Sequence, residues 1–291
     1  MSRSGRFIPT DVLDCHARLM VFALLDLYSS VEHLSALLAK AGKVFAAFDA
    51  QDSGCWSAGV EADDGQRWFV KLAGTSAGES AMRRVQELHR QVRHPSIIPV
   101  VHSFACADGL VNIYPWADGD VLYHPTTDAR PDRTLATHPM ACFRSLPLPR
   151  VETALDTVLD AHQAICAAGW VAVDFYDGCL LYDFGTHVMR LIDLDEYRPG
   201  PFTVPGDRLP GSSRYLAPEE RRHGALVDER TTVHALGRML RLLMDGGDME
   251  ADWRGTPAQL AVVTRATDPD PSRRQPTVSA LRETWHGAGR A

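Results

Sequence analysis

Residues 170–197 read WVAVDFYDGCLLYDFGTHVMRLIDLDEY. Asp174 opens the turn Asp-Phe-Tyr-Asp-Gly. Two short apolar runs follow, Cys179–Tyr182 and Val188–Ile192. The five residues between them, Asp183–His187, include Gly185, and this pattern predicts a β-hairpin. Asp193 comes just after the second run. A hairpin brings its two ends together, so Asp174 and Asp193 are expected at one edge of a small ribbon. Two carboxylates so placed suit phosphoryl transfer, one orienting the acceptor hydroxyl and the other holding Mg²⁺ on phosphates. They equally suit two turn aspartates flanking a structural hairpin.

Composition sets the bounds. The 291 residues are 45% hydrophobic and 23% charged, with a formal net charge of −7, which is ordinary for a globular chain with a proper core. No Lys/Arg-rich block is present, so no nucleic-acid partner is expected. Cysteines at 15, 55, 106, 142, 166 and 179 form no C-x-x-C pair. Neither a disulfide framework nor a zinc site is expected, and reduced thiols suit a cytoplasmic setting. The apolar run Leu19–Leu27 is interrupted by Asp26 and is too short to span a bilayer. No secretory signal is expected, because Asp11 and Asp14 precede that run.

Taken in order, residues 1–43 read as a loose terminus followed by one or two helices. Val12, Cys15, Leu19, Phe22, Leu25, Val31, Leu34 and Leu38 recur at helical spacing, and Gly42 is the stop. Val44–Phe48, Trp56–Glu61 and Arg67–Leu72 read as strands, with Asp63-Asp64-Gly65 as a hairpin turn. Gly54 and Gly59 lie where backbone N–H groups could approach phosphates, or simply within a plain hairpin. Lys71 sits inside the apolar run Trp68–Leu72, as an edge lysine reaching water or as a lysine held for phosphate. A helix is expected over Glu79–Val92, and strands over Ile97–Phe104 and Gly109–Trp116. Ala117–Pro149 reads as a hinge and connecting region. A helix follows from Arg150, then the hairpin. Asp193–Pro218 is a long loop, and loops of that length are usually functional. The remainder, from Glu219, is helical.

This order of parts resembles a bacterial serine/threonine protein kinase-like family, across roughly residues 44–286. Val70-Lys71 is similar to the third-strand lysine motif of protein kinases. Asp174 falls at the catalytic aspartate, and Asp193 in Ile-Asp-Leu-Asp at the metal aspartate. Gly211-Ser212-Ser213-Arg214-Tyr215-Leu216-Ala217-Pro218-Glu219 resembles the Gly-Thr-x-x-Tyr-x-Ala-Pro-Glu run, the most specific match in the chain. Asp268–Arg274 resembles the late segment whose arginine, here Arg274, pairs with Glu219.

The resemblance implies an α+β, two-lobed protein kinase-like fold. Residues 1–43 would be a helical extension, 44–116 a small antiparallel-sheet N-lobe, and 117–291 a mostly helical C-lobe. It implies ATP with Mg²⁺ or Mn²⁺ as cofactors and phosphoryl transfer to a Ser/Thr hydroxyl of a protein substrate. Asp174 and Lys71 would be catalytic. Gly54, Gly59, Lys71, Glu87, Ile113, Tyr114, Trp116 and Asp120 would hold the nucleotide. Ile113 would be the gatekeeper, the backbone at Tyr114 and Trp116 would hold adenine, and Asp120 would reach the ribose. Glu87 is taken as the partner of Lys71. Glu79 stays open, since a two-residue offset on a helix is about a 200° turn.

Departures bear on activity. Ala172-Val173 replace the usual His-Arg, so no arginine is in place to receive a phosphorylated segment. Tyr176 stands at a lysine position, Thr232 at an aspartate position, and Cys179 at the metal-binding asparagine. Magnesium prefers oxygen to sulfur, so the second metal site is impaired or is filled by another oxygen, with Asp195 and Asp177 the candidates. Asp195 lies two residues past Asp193, on the same face if that segment is extended. It would then join Asp193 as a metal ligand, or else cap a turn or face Arg198. A pseudokinase and a small-molecule phosphotransferase of aminoglycoside-kinase type are the competing readings.

Overall fold

The computed structural model describes residues 24–25, 27–48, 54–124 and 132–290. The chain divides into two compact units. Residues to Met82 with Val100–Trp116 form the first, and Arg83–Pro99 with Ala117–Ala291 the second. The expected partition at 43 and 116 differs, because the described part of the N-terminal stretch belongs to the first unit. Val12, Cys15, Leu19 and Phe22, expected on its helices, lie outside the described residues.

The first unit holds helix α1 (Leu34–Ala41) and strands β1 (Gly42–Phe48), β2 (Cys55–Ala62), β3 (Arg67–Ala73), β4 (His102–Cys106) and β5 (Gly109–Pro115). All pairs are antiparallel, in the order β1-β2-β3-β5-β4. The predicted turn closes β2 on β3, with Gly65 at φ 81° and its N–H donating to the Ala62 carbonyl at 2.9 Å. Period-two alternation makes both faces of this sheet apolar. Ala58, Val60, Val70, Val111 and Ile113 cluster with Leu34, Leu37, Leu38 and Ala41, which line one stripe of α1. Full burial of each such leucine stabilises by roughly 1.5–3 kcal/mol. Asp108, in the β4–β5 turn, takes the Leu34 N–H at 2.7 Å and fixes the start of α1. On the other face, Cys55, Ala73 and Leu110 pack with Met82 of helix α2 (Ser76–Gln91).

The strand expected over Ile97–Phe104 begins only at His102. Pro95 and Pro99 bracket the preceding residues and cannot donate to a ladder.

The second unit is mixed. Its hairpin runs as predicted. It follows β6 (Asp120–Val121) and β7 (Trp170–Val171), and pairs β8 (Leu180–Asp183) with β9 (Val188–Leu191), Leu180 opposite Leu191. β6 pairs with β8 to make three strands. The stretch 117–149 is not merely a connection, since it also carries helix α3 (Pro139–Ser145). Helix α4 (Leu148–Ala167) buries Val151, Leu155, Val158, Leu159 and Ile165. The loop after Asp193 holds two short strands, β10 (Arg198–Pro199) and β11 (Phe202–Thr203), paired to β7 and to β12 (Leu226–Val227). Helices α5 (Glu229–Leu243), α6 (Pro257–Ala266) and α7 (Val278–Gly289) follow. Asp228, Thr256 and Thr277 cap their N-termini through side-chain oxygens. No helix among the described residues is long and apolar enough to cross a membrane.

Candidate functional site

Asp174 and Asp193 flank the hairpin, and both sit in the left-handed backbone region at φ 58°. Such a φ is uncommon for any residue but glycine, and costs roughly 1–2 kcal/mol. Strain of this kind persists only where the surroundings impose it. Cys179 is part of that surround. Fully buried, its thiol reaches the Asp174 carbonyl at 3.5 Å and the Asp193 carbonyl at 3.7 Å. One sulfur therefore gathers both aspartate backbones. Burial pushes this thiol well above its ordinary pKa, and the charges of Asp193 and Asp174 push the same way. The residue stays a neutral donor to carbonyls, not a thiolate ligand.

Two further contacts hold the loops. Thr232 of α5 accepts the Ala172 N–H at 3.0 Å, so a hydroxyl does hydrogen-bonding work at the position where the resemblance expects a carboxylate. His162 of α4 lies against Phe175 and bridges the Val158 carbonyl and the Tyr197 hydroxyl, each at 2.8 Å. Burial holds its pKa down at about 4. The ring is therefore neutral, its Nδ1–H donates to the carbonyl, and its Nε2 accepts from Tyr197.

Asp174 lines a pocket with Ser212, Tyr215, Leu216 and Glu220. Glu220 was not singled out by the sequence, where it reads as one more acid after Ala217-Pro218-Glu219. Its carboxylate takes the Ala217 N–H at 2.7 Å, and the residue is only 3% exposed. Burial raises its pKa to about 8, and Glu219 and Asp174 add to the rise. The folded chain thus keeps a proton that the unfolded chain sheds near pH 4.5. Stability from this group is complete below the unfolded pKa and is lost as pH rises towards 8. Glu220→Gln keeps the acceptor oxygen and carries no charge. It should nearly match the wild type in urea at pH 4.5 and exceed it by roughly 4 kcal/mol at pH 9. Parallel curves at both pH values would show that Glu220 ionises normally.

In the first unit, Lys71 is 6% exposed and stands opposite Ser57 on β2 and Asn112 on β5. Direct cross-strand partners share a face, so Lys71, Ser57 and Asn112 point the same way. Asn112 donates to the Met82 carbonyl at 3.4 Å, and the buried Ser57 hydroxyl has no hydrogen-bond partner among the described residues. Ile113, expected as gatekeeper, is on the opposite face, in the cluster beneath α1. A one-residue difference in a strand reverses the face, and on β5 it is Asn112 and Tyr114 that share Lys71's side. Gly59 is not in a phosphate loop. It lies within β2, where an added Cβ would come 2.6 Å from the Phe45 ring and 2.8 Å from that of Trp116. A register shift between Val44 and Ala46 brings Phe45 there. The Trp116 N–H donates to the Arg67 carbonyl at 3.0 Å, so this donor is engaged within the sheet. Gly54 has φ 67° and open space about it, as a turn glycine requires.

Other expected residues fall differently. Glu87 pairs with Arg90 and accepts from Gln91 at 2.5 Å, both on its own helix. It lies about 140° around the helix from Met82, and Glu79 only about 60°. Glu79 therefore stands nearer the side of α2 that meets the sheet. The segment after Asp193 is not extended: Leu194–Tyr197 is a turn, closed by the Tyr197 N–H on the Leu194 carbonyl at 3.2 Å. The alternation that put Asp195 on Asp193's face therefore does not apply. Asp177 is 1% exposed with Arg133 at 3.4 Å, so its carboxylate belongs to an arginine rather than a metal. Asp120 is exposed on β6, opposite Tyr182. Among the described residues, no group of three or more His, Cys, Asp or Glu could hold a metal ion. Asp193 is the carboxylate that the resemblance assigns to such an ion, and one or two carboxylates with substrate phosphates are enough for Mg²⁺. No protein-family model matches the chain, and no curated protein matches it.

Proposed function

We propose that this chain transfers the terminal phosphoryl group of ATP to a Ser/Thr hydroxyl of a protein. The observation that carries the reading is the pair Asp174 and Asp193, both in strained left-handed backbone and both tethered to the Cys179 thiol. A merely structural hairpin has no need of two strained aspartates at its ends. Asp174 orients the acceptor hydroxyl and takes its proton. Asp193 holds one divalent ion, which supplies charge neutralisation on the phosphates. The resemblance makes Lys71 a lysine held for phosphate, with Glu79 the glutamate we favour to position it. The run Gly211–Glu219 resembles the peptide-docking segment of Ser/Thr kinases, and its Ser212, Tyr215 and Leu216 lie beside Asp174, which supports a protein acceptor over a small molecule.

The test is incubation with labelled ATP and Mg²⁺ or Mn²⁺, following label on the chain itself and on a generic protein acceptor. Lys71→Ala should weaken nucleotide binding by roughly tenfold, about 1.4 kcal/mol, in calorimetry. Wild-type protein that binds no nucleotide with any divalent ion would end the phosphotransfer reading.

A pseudokinase is the second reading, and one observation favours it. At one end of Lys71's face of the sheet stand Phe45, Phe69, Tyr114 and Trp116, with Phe45 and Trp116 centroids 4.7 Å apart. Phe69 occupies the position that is alanine in the Val-Ala-Ile-Lys motif, so a ring fills space an adenine would use. Absence of nucleotide binding, or nucleotide binding without transfer of label, would select this second reading.

A further inference from the structure

The segment Gly211–Glu219 is tied down by permanent charges. Arg208, Arg221 and Arg238 donate to the carbonyls of Gly211, Ser213 and Arg214 at 3.1, 2.8 and 2.7 Å. Arg214 itself reaches across to Asp248, with Nη1 at 3.0 and 3.1 Å from the two carboxylate oxygens. Its Nη2 donates to the Asp248 carbonyl at 3.3 Å. Arg144 of α3, almost fully buried, donates to the same carboxylate at 3.0 Å. Its other nitrogens hold the Leu242 carbonyl at 3.0 and 2.9 Å. Asp248 is thus clamped by two arginines from two separate elements.

The loop that presents Asp248 is itself built for the purpose. Asp245 is buried and takes the N–H groups of Gly247 and Asp252 at 2.9 and 3.1 Å, and Arg241 pairs with it at 2.9 Å. Glu250 is held by Arg238 at 3.1 and 2.5 Å. The same Arg238 caps the Arg214 carbonyl, so the loop and the segment share one tether. Behind them, burial raises the pKa of Asp177, three residues after Asp174, and the charges of Arg133, Arg214 and Arg144 act against that rise. Among the described residues the buried Tyr215 hydroxyl and both Asp177 oxygens have no hydrogen-bond partner, so charge rather than direct bonding connects this part of the network.

Phosphorylation orders a loop by placing an anion between arginines. Here a carboxylate already stands there. We propose that Asp248 is a positioning residue, a built-in anion that holds the acceptor-docking segment 211–219 in place without phosphorylation. This rests on the phosphotransfer reading for its consequence in turnover, but not for the lock itself.

The test is hydrogen exchange on the full chain, wild type against Asp248→Ala and Asp248→Glu, with and without excess inorganic phosphate. Asp248→Ala should speed exchange of the amides of 211–217 by roughly tenfold, about 1.4 kcal/mol, and leave α4 unchanged. Phosphate, filling the gap between Arg144 and Arg214, should slow it again, and Asp248→Glu should behave as wild type. In turnover, Asp248→Ala should raise the acceptor KM and spare the nucleotide KM, and phosphatase treatment of the wild type should change nothing. Unaltered exchange over 211–217 in Asp248→Ala would overturn the lock, as would an exchange rise spread over the whole unit that phosphate does not reverse. A wild type that needs phosphorylation for turnover would overturn the built-in anion. If the wild type transfers no phosphate at all, the exchange result alone decides the lock, and only the phosphotransfer reading fails.

Discussion

Glu219→Ala is expected to lower the unfolding free energy by about 3–5 kcal/mol, the usual result of removing one partner from a buried ion pair. Arg274 and Glu219 are 0% and 2% exposed at their side chains and meet through two parallel hydrogen bonds of 2.6 and 2.9 Å. Thr231 adds a third to the same carboxylate at 2.9 Å. After truncation, Arg274 keeps the carbonyls of Asp268 and Arg230 at 2.7 and 3.0 Å, but its buried charge loses the carboxylate it meets directly. Burial by itself would raise the Glu219 pKa, yet Arg274 outweighs it and holds the carboxyl below the ordinary range. The stability this pair supplies is therefore present above the unfolded pKa and is lost as pH falls through the lower folded value. Denaturant melts at neutral and acid pH measure both effects. A Glu219→Ala chain as stable as wild type at neutral pH would mean the pair is energetically idle.

Asp174→Asn should cut phosphoryl transfer by roughly 10²–10⁴-fold, the range for loss of a positioned general base. The amide cannot take the acceptor's proton. Nucleotide affinity should stay close to wild type, because Asp174 serves the acceptor. Stability should not fall. Asparagine tolerates a φ of 58° better than aspartate or most other residues, so the melt should match or slightly exceed the wild type. Loss of turnover with retained stability separates a chemical role from a structural one. Turnover within twofold of wild type would remove Asp174 from the mechanism, and with it the reading of the hairpin as a phosphoryl-transfer site.

The hairpin was legible because its signals are local. Turn residues, two short apolar runs and an aspartate at each end all lie within residues 170–197, and pairing in β8 and β9 follows from them. The Glu219–Arg274 pair was legible for another reason: its two motifs are specific enough to be matched across 55 positions. Ile113 was misplaced because a strand buried on both faces shows no alternation to read. Nothing in Gly-Leu-Val-Asn-Ile-Tyr-Pro tells which apolar residue meets α1. Gly59 was misread because the residue that needs its missing Cβ, Phe45, is on another strand. Glu220 and Asp248 carried no sequence signal, since burial and arginine partners set their character.

By itself, then, the sequence determined the order of elements, the hairpin with its two aspartates, the turn at Asp63–Gly65 and the motif pair that becomes a buried salt bridge. These depend on neighbours a few residues away or on motifs matched whole. Tertiary structure alone decided which face of the sheet Lys71 shares, that Cys179 lies between the carbonyls of two aspartates in strained backbone, which acid keeps its proton and which anion the arginines grip. Each of those is a question of what lies within about 4 Å in space, where charges and hydrogen bonds act, and chain separation carries no record of it.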